Sequence, residues 1–356
     1  DLTEMTGQLP VDMNSSEFLQ CNLYGMDLSR RLVNGANFSH TNMEGVCFTE
    51  AELKGSTFEN TQVKGIDFRG VDLTDADFSG ANLQKANFSA CNLTGSDFTE
   101  ANLLEANFCK AKLSGTSLAG ADISQADFSG AMLDYCDLSA CRIDQVILCD
   151  AQIISTDFES VDLTQARIER TSFSLCNMKK VNLAGMNLSE CMLVDSDLSE
   201  ANLSGTNLEL ASCEQVNFSK SNLSGCSFKK AILNTADFTS AILDEADFAG
   251  ADLHCACFVN ASVKGAVFSS ALMDRVELNY ADCQGAIFNS ANLSFSDLSH
   301  ARLTQADFSN ADLKQSILHR IHENNTNWRG ANKKRVAGTD KALAEAEDWK
   351  PPVSPN

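Results

Sequence analysis

Residues 76–110 read ADFSG ANLQK ANFSA CNLTG SDFTE ANLLE ANFCK: seven five-residue units, each with a small residue, then Asp or Asn, then a large apolar residue. The same phase extends in both directions. From Phe18 to Trp328 a large apolar residue falls at nearly every position ending in 3 or 8, giving 63 units without an insertion. Positions two residues earlier carry mostly Ala, Cys, Ser, Thr and Val. A period of five is neither the 3.6 of a helix nor the simple alternation of a long strand, so the chain must bend every five residues. Of the 20 glycines, 18 stand at positions ending in 0 or 5, where a turn requires positive φ; Gly7 and Gly338 lie outside the repeat.

A second period lies on the first. Nineteen of the 21 Phe residues occupy positions ending in 8, while positions ending in 3 carry Leu, Ile, Val or Met in almost every unit. If each unit forms one side of a coil, this alternation demands an even number of sides, and four is the natural number. With its A-(D/N)-(L/F)-x-x units, the chain resembles the pentapeptide-repeat family over about residues 16–330. The resemblance implies an all-β fold: a right-handed quadrilateral β-helix, or solenoid, of about 16 coils at twenty residues each, roughly 75 Å long at a strand spacing of about 4.8 Å.

The expected organisation is a lead-in or cap over residues 1–15, the repeat over 16–330, and a tail over 331–356. The ends of such a stack are exposed edges that need caps. Repeat quality decays at Glu323, where an apolar residue is expected, and Trp328 takes the place of Phe as a plug. Thr339 to Trp349 predicts a short capping helix started by Thr or Asp and stopped by Pro351 and Pro352.

Hydrophobic residues make up 44% of the chain and charged ones 21%, which is the balance of a folded protein. A net charge of -21 argues against direct binding to nucleic acid or an anionic membrane and for solubility or a basic partner. No apolar run is long enough to span a bilayer, and the N-terminus has no signal-peptide pattern. Asp1 in place of Met leaves room for an upstream segment.

Fourteen cysteines invite a disulfide or metal reading. Seven take the small inward position (Cys21, Cys91, Cys136, Cys141, Cys176, Cys191 and Cys226) and Cys213 and Cys283 are central residues, where they serve as small hydrophobes. No two of these nine are twenty residues apart, so a reducing, cytoplasmic setting fits best; export by a route without a signal peptide is the alternative. His254, Cys255 and Cys257 offer soft ligands, but a turn points them in different directions. His319, His322 and Glu323 lie where the repeat frays and read as capping residues. An interior filled by Phe and small side chains leaves no substrate cleft, so the sequence predicts no catalytic residue, no cofactor and no metal.

Function therefore resolves into two classes. The first is a non-enzymatic scaffold that docks a protein partner or a second copy, similar to the repeat modules of larger secretion-associated, type VI-like adaptors or effectors. Its predicted contact surface departs from the repeat's own logic: outward positions should be polar, yet Met132, Tyr135, Ile154, Leu175, Met192 and Val194 cluster around Leu133, Ile153, Phe173 and Leu193. Six such side chains expose on the order of 400 Å², the size of an interaction patch. The second class is a DNA mimic acting on a type II topoisomerase, as the resemblance implies for some members. It uses an acidic column spaced by twenty residues, which includes Asp77, Asp97, Asp137, Asp157, Asp197 and Asp237. Spread over the expected length, the charge is one per about 3.6 Å, half the density of duplex DNA at about one per 1.7 Å.

Overall fold

The computed structural model describes residues 9–349. The lead-in residues 1–8, Pro351 and Pro352 lie outside the described residues. Each five-residue unit is built the same way. The Ala81 amide donates to the Phe78 carbonyl at 3.0 Å, closing a four-residue turn. The third residue of that turn, Gly80, has φ +62°, as type II geometry requires. Left-handed residues recur at positions ending in 0 or 5, and many are not glycine: Lys85, Glu100, Tyr135 and Leu175 all have φ near +60°. At certain sites a Cβ would force a neighbouring side chain to move. A Cβ on Gly80 would meet Asn60 Oδ1 at 2.5 Å, and one on Gly95 would collide with Asp75 Oδ1.

Asp or Asn at the second position has a structural task. The Asp77 side chain accepts from the Ser79 amide at 2.9 Å, and Asn87 does so from Ser89 at 3.1 Å. These Asx turns use the amide that would otherwise extend the strand. Backbone pairing between most units consists of single parallel bridges, such as Asp77↔Asp97 and Asn82↔Asn102, always twenty residues apart. We call each twenty-residue return of the chain a lap.

The fold class read from the sequence needs correction here. The regular elements do not form a right-handed quadrilateral β-helix of about 16 coils. They form one three-stranded parallel sheet, β1 (Met132–Asp134), β2 (Gln152–Ile154) and β3 (Ser172–Ser174) in the order β1-β2-β3, plus one helix, α1 (Lys341–Asp348). A left-handed residue in nearly every unit interrupts the extended backbone and keeps strand scarce. One stretch departs from this. Lys112, Met132, Gln152, Ser172 and Met192 follow one another in one register, and none is Asp or Asn. Pairing runs on here to Asp134↔Ile154↔Ser174, whereas other pairs without Asp or Asn, such as Val267↔Ile287 and Ser212↔Ile232, remain single bridges.

By contact density the chain divides into two compact units, Asp1–Val181 with Cys191–Ser196, and Asn182–Glu190 with Asp197–Asn356. In the first unit, Phe18, Phe38, Phe58, Phe78 and Phe98 form one stacked column and Phe48, Phe68, Phe88, Phe108 and Phe128 another. Rings of the two columns meet edge to face, as Phe78 and Phe88 do at 5.6 Å. The second unit repeats this with Phe228, Phe248, Phe268, Phe288 and Phe308, ending on Trp328 at 4.5 Å. Each such pair contributes about 0.5–1.5 kcal/mol beyond area burial. Glu323, off the apolar pattern, accepts from Trp328 Nε1 at 2.8 Å.

The inward small residues are more than filler. Thr116 Oγ1 donates to the Leu93 carbonyl at 2.8 Å, and Cys91, Cys136, Cys141 and Cys226 make the same bond from Sγ to a carbonyl 23 residues earlier. Cysteine here replaces a hydroxyl donor as well as packing as a small hydrophobe. All fourteen cysteines are free.

Candidate functional site

The six apolar residues singled out in the sequence gather on four laps of the first unit, around the one regular sheet. Met132 pairs with Gln152, and Ser172 pairs with both Gln152 and Met192. The Tyr135 amide donates to the Ile154 carbonyl at 2.8 Å and the Leu175 amide to that of Val194 at 3.0 Å. Leu133, Ile153, Phe173 and Leu193 are buried beneath them. Tyr135, Leu175 and Met192 are 69%, 56% and 47% exposed. Met132, Ile154 and Val194 are half-buried. The outer face of β1-β2-β3 is therefore an apolar surface interrupted by Gln152, Ser172, Ser174 and half-buried Asp134.

The acidic column is placed differently from a row of free charges. Asp77, Asp97, Asp137, Asp157, Asp197 and Asp237 each accept from the amide two residues on, at 2.8 to 2.9 Å. In the first unit Asp77 bridges to Asp97, and Asp97 and Asp137 both bridge to Ser117. In the second, Asn217 stands between Asp197 and Asp237, and its Nδ2 donates to Asp197 Oδ1 at 2.9 Å. Four of the six carboxylates are half-buried, and Asp137 and Asp157 are exposed.

His254, Cys255 and Cys257 do not converge. His254 Nδ1 lies 2.8 Å from Asp274 Oδ2, while Cys257 faces Thr239 Oγ1 at 3.3 Å and Glu277 at 3.8 Å. Burial pushes the inward thiols of Cys91, Cys136, Cys141 and Cys226 up to about 12, which keeps them protonated and unreactive.

The sequence reading missed a polar cluster in the second unit. Among the described residues it is the one group of three or more close metal-type ligands: His300, His319 and Glu347. His300 Nε2 and His319 Nε2 each lie 3.2 Å from a Glu347 carboxylate oxygen, and the Arg320 guanidinium donates to the same carboxylate at 3.1 Å. Arg320 also pairs with Asp348. Burial works to raise the Glu347 carboxyl, but hydrogen bonds from His319 and His300 outweigh it and hold it below the usual glutamate range. The hydrogen-bond partners assign the tautomer of His319. Its Nδ1 accepts from the Asp340 amide at 3.1 Å, so the proton sits on Nε2 and faces Glu347. That proton occupies the position a metal ion would need, so the cluster is a carboxylate held by donors and not a metal centre. One signal was legible: His300 and Arg320 are twenty residues apart. Glu347 belongs to α1, whose docking the repeat does not encode.

The family profile described as pentapeptide repeat region matches residues 11–88. The profile described as pentapeptide repeats (8 copies) matches 76–115, 91–130, 111–148, 156–193, 196–234, 231–269 and 277–315. No curated protein matches the chain. Among solved structures it is similar to HetL, a pentapeptide repeat protein involved in heterocyst differentiation regulation in the cyanobacterium Nostoc, at 18% identity over 81% of this chain and 91% of that one, TM-score 0.21. It is also similar to full-length QnrB1, a plasmid-mediated fluoroquinolone resistance protein, at 19% identity over 53% and 94%, TM-score 0.25. A pentapeptide repeat protein of the Arabidopsis thaliana thylakoid lumen matches at 28% identity over 32% and 66%, TM-score 0.22. The assignment rests on the repeat profiles. The profiles define a non-enzymatic repeat module. The chain belongs to the pentapeptide-repeat family.

Proposed function

We propose that the chain docks a protein partner through the outer face of β1-β2-β3. The observation that carries this reading is the coincidence of two departures from the repeat. The laps on which the backbone pairs as a regular sheet, with Met132, Gln152 and Ser172 in place of Asp or Asn, are also where Tyr135, Leu175 and Met192 stand out from the surface. Large side chains in left-handed positions, as at Tyr135 and Leu175, cost backbone strain without adding to the core. Tyr135 and Met192 are the anchors, since aromatic and Met side chains are enriched in the buried centres of interfaces. Ile154→Lys together with Val194→Lys abolishes partner capture or self-association and leaves the melting temperature nearly unchanged. Unaltered assembly on a sizing column together with unaltered capture overturns the reading. The partner belongs to a secretion-associated, type VI-like assembly in the finer form of this proposal.

A second reading is favoured by the register of the acidic residues. Bridges set Asp77 directly beside Asp97, and further Asp side chains recur on the same spacing within each unit. On this reading the column stands in for phosphates and a type II topoisomerase is the partner, so binding weakens steeply with salt. Absence of any inhibition of supercoiling at micromolar protein removes it.

A further inference from the structure

Helix α1 meets the repeat without burying any of its own residues. Leu343 is 49% and Trp349 68% exposed, so apolar burial does not hold the helix in place. Its attachments are polar. Glu347 accepts from His300, His319 and Arg320, Asp348 pairs with Arg320, the Asp340 amide donates to His319, and Thr339 Oγ1 accepts from the Arg320 amide at 3.2 Å. An isolated eight-residue helix is marginal in water, so α1 undocked is free to unwind.

The donors, in contrast, belong to the repeat framework. The His300 amide donates to the His319 carbonyl at 2.8 Å, which ties neighbouring laps together. Tyr280 stacks on the His300 ring at 4.5 Å and 2°, and the His319 side chain is 97% buried, with 3% relative exposure. Two imidazole nitrogens and a guanidinium are thus aimed at one point by residues whose backbones belong to the repeat. A planar guanidinium with two neighbouring donors is the arrangement that recognises a carboxylate, and an adjacent acid takes its second edge.

We propose that His300, His319 and Arg320 form a carboxylate-binding site that α1 closes in cis, and that its ligand in trans is an acidic peptide presenting adjacent Glu and Asp side chains. The tail acts as an intramolecular competitor at high effective concentration, so the site opens only to a peptide that displaces it. The proposal is independent of the sheet face, which lies in the other unit.

The test uses the full chain and a fluorescent peptide with the sequence of residues 339–349 as probe. A chain with Glu347→Gln and Asp348→Asn has lost its internal competitor and binds the peptide at least about tenfold more tightly than the unaltered chain. Adding Arg320→Gln to that background abolishes binding, and rising salt weakens it. Ile154→Lys with Val194→Lys leaves peptide binding unchanged, which separates this proposal from the docking face. As a check that does not depend on the double variant, Arg320→Gln alone increases amide exchange across Lys341–Asp348. Equal binding by the unaltered chain and the double variant, binding that survives Arg320→Gln, or binding that requires zinc overturns the proposal.

Discussion

The carboxylate of Asp77 accepts a hydrogen bond from the Ser79 amide at 2.9 Å, while the Asp77 backbone bridges to Asp97 on the next lap. One residue therefore closes its own turn and supplies charge to the surface. The two roles separate chemically, because asparagine keeps the accepting oxygen and drops the charge. Asp77→Asn with Asp97→Asn leaves the denaturation midpoint unchanged, whereas Asp77→Ala costs about 1 kcal/mol through the lost hydrogen bond. The Asn pair removes any topoisomerase inhibition if the acidic column mimics phosphates. Inhibition that persists in this folded variant assigns the activity to another surface.

Phe88 stacks on Phe68 and Phe108 and meets Phe78 and Phe98 edge to face. Phe88→Asp places a carboxyl among four rings and lowers unfolding free energy by about 3–5 kcal/mol in a urea titration. A variant that unfolds like the parent contradicts the inward placement.

Thiol chemistry follows from burial. At pH 8 a disulfide reagent modifies exposed Cys47 first, while Cys91, Cys136, Cys141 and Cys226, pushed up to about 12, stay unmodified until denaturant is added. Cys226→Ser retains the bond to the Leu203 carbonyl and Cys226→Ala forfeits it, so the Ala variant is the less stable by about 1 kcal/mol. Rapid labelling of all four thiols in the native protein contradicts this account.

Docking of α1 depends on pH through Glu347. The folded carboxyl lies below its ordinary value of 4.5, so the group stabilises docking fully above 4.5 and loses that contribution as pH falls through the lower folded value. Amide chemical shifts of Lys341–Asp348 report the loss on acidification, and Glu347→Gln abolishes this acid transition. Retention of the transition in the Gln variant assigns it to another group.

How much was legible can be traced through these residues. The five-residue unit, the inward Phe and Ala, and the glycine turns could be read because each is a local requirement: a large side chain needs an interior, and a left-handed residue has a sterically preferred type. The helix start at Asp340 was legible for the same reason, since its Oδ1 caps the Ala342 and Leu343 amides. The apolar identities of Met132, Tyr135, Ile154, Leu175, Met192 and Val194 were visible as departures from the pattern. Strand content was not legible, because units with and without Asp or Asn at the pairing position both form single bridges, as Asp77↔Asp97 and Val267↔Ile287 do.

By itself the sequence determined the phase of the repeat, the residues that enter the core and the membership of the pentapeptide-repeat family, because all three follow from side-chain size and turn chemistry repeating every five positions. Tertiary structure alone decided that regular sheet is confined to β1, β2 and β3, because pairing is made between backbones twenty residues apart and no local pattern separates these laps from their neighbours. It alone brought Glu347 to His300, His319 and Arg320, because the tail meets the repeat through charge and hydrogen bonds whose geometry no local pattern encodes.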